Sequence, residues 1–70
     1  MAENKATFIV HGLTAADECQ QIEDELLEMN GVMGTDIDHD SGAATVRYDA
    51  DLLAEERIKI TVREMGYEVE

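Results

Sequence analysis

The sequence predicts an α+β fold in which two helices lie on one face of a four-stranded antiparallel sheet. Three observations carry this prediction. Two stretches place apolar residues at helical spacing, and four short segments are rich in β-branched, aromatic or alternating residues. The two halves also echo each other: Glu28-Met29-Asn30-Gly31-Val32 and Glu64-Met65-Gly66-Tyr67 each join a helix end, a glycine and a strand start.

The first strand is expected over residues 5–11, where Phe8 and Val10 share one face and Gly12 ends the run. Thr14-Ala15-Ala16-Asp17 then fits the Ser/Thr-x-x-acid pattern that opens a helix, with Thr14 as the cap. Ala15, Cys19, Ile22, Leu26 and Met29 follow at steps of four and three, the buried stripe of a helix over residues 15–29. Its other face, Gln20, Gln21, Asp24, Glu25 and Glu28, is polar, and Asn30-Gly31 supplies a left-handed stop.

Residues 32–39 and 43–48 read as a β-hairpin, because Ala44, Val46 and Tyr48 alternate with Thr45 and Arg47, and Asp40-Ser41-Gly42 between them is turn chemistry. Asp49-Ala50-Asp51 offers a cap for the second helix, whose Ala54, Ile58, Val62 and Met65 recur at helical spacing until Gly66. Residues 67–70 form the last strand.

The resulting order, β-α-β-β-α-β, is the split βαβ or ferredoxin-like arrangement. It buries Phe8, Val10, Ile22, Leu26, Val46, Ile58 and Val62 between sheet and helices and leaves the other sheet face open. Seventy residues with no internal linker are expected to form a single domain, 1–70, too small for separate substrate and cofactor domains. A lone cysteine excludes an intramolecular disulfide.

Seventeen Asp+Glu against five Lys+Arg give a formal charge of −12. Such a surface repels phosphate backbones and anionic lipid, so nucleic acid is not expected as a partner. It suits a basic protein surface, metal cations or a high-salt cytoplasm. The longest apolar stretch, Phe8-Ile9-Val10, is far short of the ~20 residues of a membrane span, and the first residues lack the apolar region of a signal peptide. A cytoplasmic protein without membrane insertion is expected.

The residues Val10-His11-Gly12-Leu13-Thr14, Ile22-Glu23, Leu26, Gly31-Val32, Val46-Arg47-Tyr48-Asp49, Ile58 and Gly66-Tyr67 resemble, over nearly the whole chain, the heavy-metal-associated domain. That family includes copper chaperones, mercury-binding proteins and the N-terminal regions of metal-exporting P-type ATPases. Aligned on these residues, the first cysteine of its Cys-x-x-Cys loop falls on Ala15 and the second on Glu18, and Cys19 comes one residue late. The loop is closer to the Cys-x-x-Glu-Glu variant of some zinc, cadmium or lead exporters, with Glu18 matching one ligand and Cys19 replacing the other Glu.

The resemblance implies a domain that binds or senses a metal as a carrier or transporter module, with Glu18 and Cys19 as ligands and Asp17 or His11 assisting. A helix N-terminus stabilises such anions through its unpaired N–H groups and dipole. Mixed donors of this kind suit Zn²⁺ or another divalent transition metal. Cu(I) needs two thiolates, which Cys19 supplies only if two chains share the ion in a Cys19-bridged dimer; otherwise the domain is expected to be a monomer. The implied partner is a metal transporter.

Each candidate also has a plainer structural reading. Cys19 shares its stripe with Ile22 and Leu26, as a small core residue would. Asp17 and Glu18 suit the first turn of any helix, and His11 suits an exposed strand end. Tyr67 matches an aromatic that lies near the metal loop in the family, and it equally fits packing between helix and strand. Asp36-x-Asp38-x-Asp40 fails as a calcium loop because its twelfth position is Arg47, so His39 and these acids read as a solvated hairpin tip. No nucleophile–base set or phosphate loop is visible, and a non-enzymatic, metal-free acidic interaction module is the alternative reading.

Overall fold

The computed structural model describes residues 2–70. Its elements run β1 (Glu3–His11), α1 (Ala16–Leu27), β2 (Val32–Ile37), β3 (Ala43–Asp49), α2 (Glu55–Glu64) and β4 (Glu68–Val69). Every strand pairing is antiparallel, and the sheet order is β2-β3-β1-β4. The expected ferredoxin-like fold is therefore the observed one, with β1 and β3 at the centre of the sheet.

The core follows from the two periodicities. Ala6, Phe8 and Val10 alternate along β1, and Ala44, Val46 and Tyr48 along β3, with Ala6 opposite Val46 and Phe8 opposite Ala44. Cys19, Ile22 and Leu26 from α1 and Ile58 and Val62 from α2 close over them. The seven residues expected between sheet and helices are buried, and so is Cys19 on the stripe of α1. Ala15, expected at the start of that stripe, is exposed because it lies before the first helical residue, and Met29 beyond the last one is half-buried. Lys5, Thr45 and Arg47 alternate with the buried set and so occupy the open face.

Several element ends differ from expectation, two of them because side-chain hydrogen bonds decide them. The α1 helix is three residues shorter than expected, with Glu28 as its C-cap. The cap expected at Asp49–Asp51 is not one: Asp49 Oδ1 accepts from Asp51 N at 2.9 Å to close a turn, and α2 starts later behind Ala54. The second strand ends at Ile37, because Asp38 turns its oxygens on Asp40 N at 3.1 Å and Ser41 Oγ at 2.9 Å.

The β2 edge is covered from α1. Glu23 Oε2 accepts from Ile37 N at 3.0 Å, a half-buried bond between helix and sheet. Replacing Glu23 by Ala is expected to cost about 1–2 kcal/mol, since the strand N–H then lacks its charged acceptor. Thermal melts check this: Glu25→Ala, exposed on the same helix, should stay within about 0.5 kcal/mol of wild type.

Candidate functional site

The site lies where β1 ends and α1 begins. Gly12 adopts φ +100°, a left-handed conformation that turns the chain out of the strand, and a Cβ there would lie 3.7 Å from Cδ1 of Tyr67. The N-cap of α1 is Ala15, in extended conformation with φ −146°, and alanine has no side-chain acceptor for the first-turn N–H groups. The expected Thr14–Asp17 capping pair is thus displaced by one residue, because Thr14 donates its hydroxyl instead of accepting.

Glu18 instead bonds the chain just ahead of the helix. Its Oε1 accepts from Thr14 N at 2.5 Å, Thr14 Oγ1 at 2.9 Å and Ala15 N at 3.1 Å. Its Oε2 accepts from the Tyr67 hydroxyl at 3.0 Å, a bond spanning 49 residues of sequence. One partly exposed carboxylate therefore closes the loop on itself and ties it to the chain just before β4. The Thr14 backbone N–H above all, together with the Thr14 hydroxyl and the Ala15 N–H, holds the Glu18 carboxyl down from its ordinary 4.5 to about 2. The Tyr67 phenol is pushed up, first by burial and then by its bond to Glu18.

Cys19, the next residue, points the other way. It is 7% exposed, packed in the core with Ile22 and Leu26, and a free thiol. Burial pushes the thiol up, and the carboxylates of Glu23, Glu18 and Asp38 add to the effect, so the neutral form is favoured. Asp17 is exposed in the first turn of α1. His11 Nε2 pairs with Glu70 Oε2 across the β1–β4 edge.

The four residues expected as ligands are thus turned to different tasks: Glu18 to the loop and Tyr67, Cys19 to the core, Asp17 to solvent and His11 to Glu70. Among the described residues, no three His, Cys, Asp or Glu side chains are gathered where they could hold one ion. The functional residue that sequence reasoning left undecided is Tyr67. Its only sequence signal was the resemblance, since nothing local links it to Glu18. At the hairpin tip His39 lies 3.9 Å from Asp40 Oδ1, and both side chains are substantially exposed. No helix among the described residues is long and apolar enough to cross a membrane.

Known proteins share this fold. The heavy-metal-associated domain profile matches residues 7–68. Copper-transporting ATPase 2 of Mus musculus is 34% identical over 64 residues, which is 91% of this chain and 4% of that protein. The chain thus spans a small fraction of the length of that curated relative. Among solved structures, a copper-binding domain from the P-type ATPase HMA7 superposes with a TM-score of 0.88 at 32% identity, covering 94% of this chain and 89% of that one. The N-terminal domain of a potential copper-translocating P-type ATPase from Bacillus subtilis, solved in the Cu(I)-loaded state, gives 0.89 at 28% identity over 100% and 86%. With the fold and nearly the full length matched, the chain belongs to the heavy-metal-associated domain family.

Proposed function

We propose that this domain serves metal transport as a non-enzymatic, acidic docking module, and that a single chain does not carry Cu(I). The observation that carries this reading is the Glu18 carboxylate, which accepts four hydrogen bonds from Thr14, Ala15 and Tyr67 at the place where the family pattern puts a cysteine. Ala15, where the family pattern puts the other cysteine, has no side-chain donor atom to offer a metal.

The donor set does not fit the soft ion. Cu(I) selects thiolates, and the one thiol of the chain is buried and biased toward its neutral form. A harder ion such as Zn²⁺ at Glu18, Cys19, Asp17 and His11 would have to break the loop hydrogen bonds and the His11–Glu70 pair and expose Cys19. The negative charge of the Glu18 carboxylate already does locally what a bound thiolate does, satisfying the helix N-terminus with an anion.

What the domain offers a partner is charge. Asp17, Asp24, Glu25 and Glu28 are exposed along α1, within a chain of net −12. Such a face attracts a basic protein surface of a transport system and orients its approach. Titration of the isotope-labelled domain with poly-L-lysine tests this. Amide shifts should concentrate on the exposed face of α1 and fade as salt screens the charges. Shifts that ignore salt, or that centre on another face, would contradict the reading.

A further inference from the structure

We propose that the open face of the sheet holds a binding site for a phosphate-type oxyanion, built from Lys5, Arg47 and Thr45 beside Gly34. It is separate from the Glu18 loop and does not depend on the docking role.

Charge is the first argument. The chain has five Lys+Arg among seventeen Asp+Glu. On α2, Lys59 pairs with Glu55 at 3.3 Å and Arg63 with Glu56 at 3.2 Å. Lys5, Arg47 and Arg57 join no ion pair among the described residues, and of these Lys5 and Arg47 stand directly opposite each other in the β1–β3 ladder. Like charges at opposed positions of an antiparallel pair repel. Glu3, Asp49 and Asp36 share this face, but none of them forms an ion pair with either cation among the described residues, so both keep donors to offer. An anion between them removes that repulsion.

Gly34 is the second, independent argument. Four of the five glycines adopt a left-handed φ, and Gly34 alone does not, so its backbone does not require glycine. Its role is room: a Cβ at position 34 would lie 2.2 Å from Nη2 and 2.8 Å from Cζ of Arg47. The missing side chain lets the guanidinium rest against β2, beside the irregular register between Val32 and Gly34. A glycine inside a strand marks close approach of this kind, and a bulge re-aims side chains.

The guanidinium so seated borders a notch of about 320 Å³ that Lys5, Thr45 and Asp36 also line. The planar fork of arginine matches two oxygens of a tetrahedral anion, and the lysine ammonium and threonine hydroxyl add donors. Asp36 is an acceptor at the rim. That combination suits a phosphate that keeps one hydroxyl, whose proton Asp36 accepts.

Amide-shift titration of the labelled chain with inorganic phosphate, and separately with glycerol phosphate, tests the site against chloride at equal ionic strength. Saturable shifts centred on Gly34, Thr45 and Arg47, with residues 12–18 unmoved, are the expected result. A stronger response to glycerol phosphate would assign the site to a phosphorylated molecule, and an equal one to free phosphate. Arg47→Gln should weaken binding by about tenfold or more. Gly34→Ala, which its backbone tolerates, should do the same by displacing the guanidinium while leaving the melting curve cooperative. Shifts equal to those of chloride, showing an adventitious ion only, or affinity unchanged by Arg47→Gln would overturn the proposal.

Discussion

Replacing Ala15 and Glu18 together by cysteine is expected to convert the domain from one that leaves Cu(I) with a competing chelator into one that takes up one ion per chain. The two positions flank the first turn of α1, where unpaired N–H groups and the helix dipole favour thiolates. Two sulfurs then meet the demand of a soft ion that Cys19 alone cannot meet. The fold superposes on that of the Cu(I)-loaded Bacillus subtilis domain with a TM-score of 0.89. Glu18→Cys also frees the Tyr67 hydroxyl, so the double variant should be less stable without metal than with it. A chelator-competition titration checks the gain, and a double variant that still yields its copper would contradict the role given to positions 15 and 18.

The second large effect is on acid stability. The Glu18 carboxyl ionises at about 2 in the folded domain and at its ordinary 4.5 when the loop is released. A depressed folded-state value means that the group stabilises the fold fully above 4.5 and loses that contribution as the pH falls toward 2. Glu18→Gln keeps the shape but lacks the charge, so its melting temperature should lie below wild type at neutral pH. The gap should narrow through the interval from 4.5 to about 2. Tyr67→Phe removes one of the four donors and should move the wild-type transition to slightly higher pH. Melts of the three proteins across this range check the sign, and a gap that stays constant would show that Glu18 stabilises by shape alone.

The core was legible because burial imposes a period. Phe8, Val10, Val46, Ile22, Leu26, Ile58 and Val62 repeat at two or at three to four residues, and all are buried. Helix ends were less so, since they depend on which side chain reaches which N–H group: Thr14 looked like a cap and is a donor to Glu18. The site itself was only half visible. Glu18 could be placed at the right loop from the family pattern, but its bond to Tyr67 crosses 49 positions and leaves no local trace. The same holds for Glu23 on Ile37 and for Arg47 over Gly34, contacts made between elements that the fold alone brings together.

The most direct test of the closed loop is an anaerobic titration of the reduced, isotope-labelled wild-type chain with Cu⁺ and Zn²⁺ in turn, following backbone amides of residues 11–20. With Glu18 already bonded to Thr14, Ala15 and Tyr67, these amides should stay in place through one equivalent of either metal. Saturation at one ion per chain would instead establish a site at Glu18, Cys19, Asp17 and His11, and saturation at half that ratio a dimer bridged through Cys19. Either result would contradict a loop held shut by its own carboxylate.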